Sequence, residues 1–298
     1  MLNQFGFDIL NYNHDPDKMQ LSLKEPTRTR HDENFPVASW LIPASLRPHV
    51  HTFYLCVRAA DDIADSTDYL PDEKMRILTV MDDALIGKSQ LNDVTRFARN
   101  HRISAAETGV TVDHARQLLQ AFMMDISKLR YRNWSELINY CMHSAAPVGR
   151  YLIDLHGESD FVKPQTDCLC NALQILNHLQ DCQEDYRKLN RVYIPMDYLR
   201  DENIDVTELD KASTSAPLRQ AMNTILDRTD ELLLRAKSVS AQLNTRGLKL
   251  ETAVIIRIAE HLSGKLRRQD PLAMRVKLTK FQNLFATLQG ILAGILAR

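Results

Sequence analysis

Glycine is scarce in this chain, 9 residues in 298, and β-branched residues rarely alternate with polar ones at a period of two. Both shortages argue against a sheet protein built on tight turns. No run of about 18 apolar residues occurs, which excludes a membrane-spanning helix of ordinary length. The opening decapeptide MLNQFGFDIL is too short and too polar for the apolar stretch of a signal peptide. An excess of one charge is missing as well. Lys and Arg number 37 against 38 Asp and Glu, a formal net charge of -1, so neither a nucleic-acid footprint nor a like-charge tail is present. The five cysteines have no zinc spacing, and Cys168-Leu-Cys170 lacks the two-residue gap of a redox motif. Reduced thiols in a cytoplasmic protein are the expectation. The C-terminal stretch LFATLQGILAGILAR leaves two readings open. It is either a buried final core helix or an interfacial helix, and the second would place the protein at the inner face of the cell membrane.

What is present is helical periodicity. Apolar residues make up 44% of the chain, enough for a large core, and they recur at three- and four-residue spacing in long blocks, which predicts an all-α fold. Helices are expected at about 46–66, 71–86, 112–128, 134–156, 166–187, 215–241 and 248–297, the last open to a break at Pro271. Pro71-Asp72-Glu73 opens one of them with proline in the first turn and acids facing the helix dipole. Asn133-Trp134-Ser135-Glu136 is a capping-box pattern. Residues 188–214 read as the longest irregular connection. No repeat of 20–50 residues and no low-complexity linker is visible. The expected organisation is a loosely ordered polar segment over 1–30 and a single all-α domain over 31–298.

Two acidic clusters stand out. In RAADDIADS (58–66), three aspartates fall within five positions, just beyond the aliphatic and aromatic run Phe53 to Val57. Residues four apart share a helix face, so Phe53, Val57, Asp61 and Asp65 form a stripe with carboxylates at one end. Asp62 lies about 100° round the axis from Asp61, behind a metal site or paired with Arg58. A second helix repeats the arrangement in NALQILNHLQDCQEDYRKLNRVYIP: Asn177, Asp181 and Asp185 are spaced by four, with Gln174 before them and Lys188 after. An acid run on one helix is usually a solvated face. Two such runs, each crowning a buried-looking helix, need cations between them. Hard carboxylate oxygens suit Mg²⁺, which keeps waters and shares its other positions with substrate phosphates. Four carboxylates and a diphosphate carry about -7, and three Mg²⁺ supply +6, leaving room for Arg58, Lys188 or Arg191. A di-iron bundle needs Glu-x-x-His pairs, and no Glu here is followed by His three residues on.

These motifs resemble the squalene/phytoene synthase family of head-to-head isoprenoid synthases. The likeness runs through HDENFPVASWLIP (31–43), FYLCVRAADDIAD (53–65), SELINYCMHSAAPVG (135–149) and LQILNHLQDCQEDYRKLNRVYIP (173–195). Chain-elongating prenyl synthases share D-D-x-x-D but lack a counterpart of DCQED. The resemblance implies a helical bundle with a central apolar cavity, in which Asp61, Asp65, Asp181 and Asp185 hold Mg²⁺ against a prenyl diphosphate. Tyr54 is implied to take part in catalysis. His31, Asn34, Arg58, Gln174, Asn177, Lys188, Arg191 and Tyr193 are implied to bind substrate, and Asp125, Tyr131 and Arg150 match polar family positions. Departures include Asp32 and Asn34 where serines are frequent, Gln180 where some members have Arg, and Gln269-Asp270-Pro271 where phytoene synthases usually place Tyr-Asp. With ENFPVAS, these are similar to the bacterial hydroxysqualene-forming branch, which acts on presqualene diphosphate. No nicotinamide cofactor is then expected, and the missing G-x-G-x-x-G is weak support because NADPH-using members lack it too.

The implied chemistry is ionisation assisted by Mg²⁺ as a Lewis acid, in a water-poor cavity where Tyr54, Phe53, Phe122 or Tyr140 could stabilise a cation. A plain core role is the alternative for each aromatic, and His143 and His178 receive no role. Other head-to-head reactions on farnesyl or geranylgeranyl diphosphate, giving presqualene diphosphate, squalene or phytoene-type products, remain alternatives. So does a catalytically silent assembly subunit, which could have lost its acidic pairs; here both are intact. Channelling to other squalene-pathway enzymes and peripheral membrane association are the implied partnerships.

Overall fold

The computed structural model describes residues 41–89 and 95–296. Segment 1–30, His31 and Asn34 lie outside the described residues. Helices carry the chain in the order α1 (Arg47–Asp65), α2 (Pro71–Leu85), α3 (Arg96–Thr108), α4 (Asp113–Ser127), α5 (Trp134–Ser144), α6 (Ala146–Leu155), α7 (Lys163–Leu189), α8 (Met196–Asp201), α9 (Ala216–Ala236), α10 (Val239–Gln242), α11 (Arg246–Leu266) and α12 (Lys280–Leu296). Among the described residues no strand forms, and one isolated bridge joins Arg130 to Val192. The all-α expectation holds.

Local chemistry explains most boundaries. At α2 the Leu70 backbone N–H donates to Glu73 Oε2 at 2.8 Å, and Pro71 occupies the first turn, where its missing N–H costs nothing. At α5 the Glu136 backbone N–H donates to Asn133 Oδ1 at 3.0 Å, while the Arg132 backbone N–H donates to Glu136 Oε2. α7 ends on Asn190 in the left-handed region, φ 53°, a conformation asparagine tolerates.

The expected helix 134–156 is two helices. Pro147 sits in the first turn of α6, and its ring would clash with the carbonyl four residues back in a continuous helix, so α5 stops at Ser144. Likewise 215–241 divides into α9 and α10, and 248–297 into α11 and α12 across an irregular stretch that contains Pro271. The connection 188–214 includes α8 and a short 3-10 turn at Val206–Asp210. Helix α3 is an addition. Its buried face includes His101 and Ser104 alongside Phe97, Ala98 and Ala105, which hides its apolar stripe.

Packing places the two acid-bearing helices across a cavity. α1 packs on α3 and α4, α6 bridges α4 to α7, and α7 lies against α9 and α11. Phe53 of α1 stacks on Tyr151 of α6 at 4.0 Å and 7°, with the edge of the buried His101 ring 5.2 Å away. Such aromatic pairs add about 0.5–1.5 kcal/mol beyond the area they bury, so they fix α1 against α6 firmly. Close approach matters at Gly149, where a Cβ would lie 2.5 Å from Thr166 Cγ2 and 2.6 Å from Cys170 Sγ. All five cysteines are free thiols. The C-terminal helix fits neither expectation alone: Ala286, Gly290 and Gly294 are buried against α11 and Ile291 packs beside them, while most of its large apolar side chains are exposed.

Candidate active site

The lower turns of α1 (Val50, Phe53, Tyr54, Val57) and of α7 (Thr166 to Asn177) line one cavity of about 300 Å³. Both helices carry their acids beyond this apolar stretch, toward their C-terminal ends, so the two run the same way along the cavity. From Thr166 to Asn177 the lining follows α7 for about 16 Å at 1.5 Å per residue. Leu169, Leu173 and Ile255 make its wall apolar, and Tyr54, Gln174 and Asn177 place polar groups in the lining on the side of the acids. The volume lies at the lower end for ligand cavities.

Above the cavity, arginines grip the carboxylates. Arg58 Nη1 is 2.9 Å from Asp61 Oδ2, and its Nη2 is 2.5 Å from Asp62 Oδ1. The proposed pairing of Asp62 with Arg58 is therefore present. Arg191, 6% exposed, reaches from the end of α7 to α1: Nη1 is 2.5 Å from Asp65 Oδ1, Nη2 donates to the Ala64 carbonyl at 3.1 Å, and Nε donates to the Asp125 carbonyl at 3.1 Å. On α7, Asp181 Oδ2 lies 3.0 Å from Arg275 Nη2, and Asp185 Oδ2 lies 4.0 Å from His178 Nδ1.

Positive charge is still short. Burial and the neighbouring Asp65 push Asp61 up to about 7, against the pull of Arg58. Burial, then Asp181, then Asp65 on the facing helix push Asp185 up to about 8. His178 brings no charge, since burial and Arg191 lower it to about 3. Its ring stacks on Tyr193 at 3.5 Å and 14°. Behind it, Asp125 accepts hydrogen bonds from the hydroxyls of Tyr140 at 2.7 Å and Tyr193 at 3.1 Å. This buried network locks Tyr193, Tyr140 and Arg191 into one unit between α4, α5 and α7. Burial raises Asp125 to about 6, although Arg191 and both tyrosines oppose the rise.

Several expected site residues come together: Tyr54, Gln174 and Asn177 on the cavity, Arg58 and Arg191 on the acids, Tyr193 beside them. Lys188 does not join them. Its Nζ is 2.6 Å from Glu184 Oε1, and its side chain is 70% exposed. Arg150 is bidentate to Asp167 at 2.8 and 2.7 Å, and that pairing occupies its guanidinium. Arg275 had no role in the sequence reading. Gln180, noted there only as a departure, donates to the Val276 carbonyl at 2.5 Å and so holds the segment that delivers Arg275 to Asp181.

The donor set is compatible with Mg²⁺. Among the described residues no three His, Cys, Asp or Glu side chains are gathered closely enough to hold one ion. The carboxylates stand instead in facing pairs, and Mg²⁺ typically binds through one or two carboxylates, keeping waters and substrate phosphates in its other positions. Acids that raise one another's proton affinity are what such an ion would relieve.

Comparison with known proteins places the chain among relatives of one family. A family profile described as Squalene/phytoene synthase matches residues 28–282. The chain is 42% identical to hydroxysqualene synthase of Zymomonas mobilis subsp. mobilis over 253 residues, 85% of each chain. It is 40% identical to hydroxysqualene synthase of Rhodopseudomonas palustris over 271 residues, 91% of this chain and 92% of that one. Among solved structures, squalene synthase HpnC from Alicyclobacillus acidocaldarius superposes with a TM-score of 0.68 at 25% identity, covering 81% of this chain and 90% of that one.

Proposed function

The chain belongs to the squalene/phytoene synthase family, and we propose that within it the protein acts as a hydroxysqualene synthase, converting presqualene diphosphate to hydroxysqualene and diphosphate. The observation that carries this reading is the identity of about 40% to relatives of that name, sustained over most of both chains. The site supports it physically. The C–O bond to diphosphate breaks with its electron pair leaving on oxygen; the cyclopropylcarbinyl cation rearranges; water adds and loses a proton.

Asp61 and Asp65 on α1, with Asp181 and Asp185 on α7, would hold Mg²⁺, which when bound supplies Lewis-acid stabilisation of the departing diphosphate. Arg58 positions Asp61, and Arg191 positions Asp65, so both carboxylates meet the substrate already oriented. The apolar cavity takes the hydrocarbon and keeps bulk water from the cation. Tyr54, Gln174 and Asn177 supply the polar collar between the two.

The reading is tested by mass spectrometry of products after supplying presqualene diphosphate or farnesyl diphosphate separately, with Mg²⁺ and without NADPH. Hydroxysqualene from presqualene diphosphate alone is expected. Consumption of farnesyl diphosphate as the sole substrate would overturn it in favour of another head-to-head reaction.

A further inference from the structure

Helix α12 presents most of its large apolar side chains outward, Ile291 excepted. Toward α11 it offers Ala286, Gly290 and Gly294, all buried. The approach is so close that a Cβ on Gly290 would lie 2.4 Å from Val254 Cα. On the other side, Phe281, Leu284, Phe285, Leu288, Leu292 and Ile295 are each between 55% and 86% exposed. At 100° per residue these six fall within about 60° of the line opposite Gly290. A continuous apolar stripe of this kind is not the scattered exposure of an ordinary surface.

Charge indicates what covers it. Residues 261–298 contain seven Lys and Arg and one acid; Arg275 is paired with Asp181 and Arg267 with Asp227 and Asp230, which leaves five basic residues against that acid in a protein whose net charge is -1. That single acid, Asp270, is engaged by the backbone N–H groups of Thr214 and Leu272. Arg268, Lys277 and Lys280 are exposed around the start of α12, and α12 has no acidic residue. A second copy of the chain docking on this stripe would bring two such basic ends together. An anionic lipid surface accepts both the stripe and the charge. The position also suits a hydrocarbon cavity: Leu248, Thr252 and Ile255 of α11 line it, while Val254 and Ile258 on another face of α11 pack with Ala286 of α12. One helix separates the cavity from the stripe.

We propose that α12 docks this protein on an anionic lipid surface, lying in the interfacial plane with Phe281, Leu288 and Leu292 toward the acyl chains and Arg268, Lys277 and Lys280 at the headgroups. No helix among the described residues is long and apolar enough to cross a membrane, so the contact is peripheral. This goes beyond the proposed reaction and does not depend on it.

The test is sedimentation of the full-length chain with vesicles of phosphatidylcholine containing phosphatidylglycerol, and with phosphatidylcholine alone. The protein is expected to pellet with the anionic vesicles, less with neutral ones, and less again at high salt. The triple substitution Phe281→Ser, Leu288→Ser, Leu292→Ser should weaken vesicle partitioning by at least about tenfold with an unchanged thermal melt. Lys277→Gln with Lys280→Gln should erase most of the preference for anionic vesicles, and it decides the matter if the triple variant melts early. Wild-type protein remaining in the supernatant with either vesicle would overturn the proposal, as would undiminished binding by the substituted proteins. A dimer that the triple substitution dissolves, with no vesicle binding, would overturn it in favour of self-association.

Discussion

The two acid-bearing helices look alike in sequence and differ in how their charge is balanced. On α1, Asp61, Asp62 and Asp65 face two largely buried guanidinium groups, Arg58 and Arg191, with side chains 14% and 8% exposed. On α7, Asp181 pairs with Arg275, whose side chain is 44% exposed, and Asp185 lies 4.0 Å from a histidine held neutral by burial, while the Arg191 charge acts on it through space. The α1 half is preorganised by fixed cations. The α7 half is gripped less by fixed cations and would take one that arrives with the substrate; burial and the neighbouring acids raise its Asp185 to about 8. The site's electrostatic demand is therefore lopsided, and that asymmetry can be broken from either side.

The largest effect is expected on the open half. Asp181→Asn with Asp185→Asn should lower turnover by at least about 10³-fold, since the leaving group loses half of the carboxylates that would hold its Mg²⁺. In metal-free buffer the same variant should melt higher than wild type, because two mutually repelling half-buried carboxylates have gone. Retained turnover, or a lower melting temperature, would contradict the assignment. On the preorganised half, Arg191→Met should cost about 2–3 kcal/mol in denaturant unfolding. That is less than the ~3–5 of a fully buried pair, because the Asp65 side chain is 39% exposed and can hydrate.

A smaller effect is expected from pH. Asp61 and Asp185 hold protons in the metal-free fold that they release in the unfolded chain at any pH above about 4. Below about 6.5 the buried His178 and His101, lowered to about 3 and about 4, bind fewer protons folded than unfolded and offset the two acids; between about 6.5 and 8 the acids act alone, and stability falls as pH rises through that window. Melting temperature measured without metal from about pH 6.5 to pH 8 should decline, and Asp185→Asn should flatten the decline. Smallest of all is Lys188→Ala: with its ammonium on Glu184 at the surface, it should leave stability within about 0.5 kcal/mol and turnover unchanged.

Where sequence sufficed and where it did not follows from the range of the interactions. The stripes on α1 and α7, the Arg58–Asp62 pair and the Asn133–Glu136 cap are contacts over three or four residues, which helical periodicity encodes directly. Arg275 meets Asp181 across 94 positions of chain, and nothing local in RRQDPLAMRVKL announces that partner. Lys188 had the right spacing to face the acids, yet Glu184 one turn back captured it. Helix α3 escaped because polar His101 and Ser104 belong to its buried face. The break before α6 was written in Pro147, whose effect on the preceding carbonyls outweighs the continuous apolar pattern around it.

Calorimetric titration of inorganic diphosphate into the protein at pH 7, with Mg²⁺ and with EDTA, in buffers of different ionisation enthalpy, examines the lopsided clamp itself. Binding should require Mg²⁺, release protons from the raised carboxyls as it occurs, and lose that proton release in Asp185→Asn. Binding of equal strength in EDTA, or binding with no proton exchanged, would contradict it.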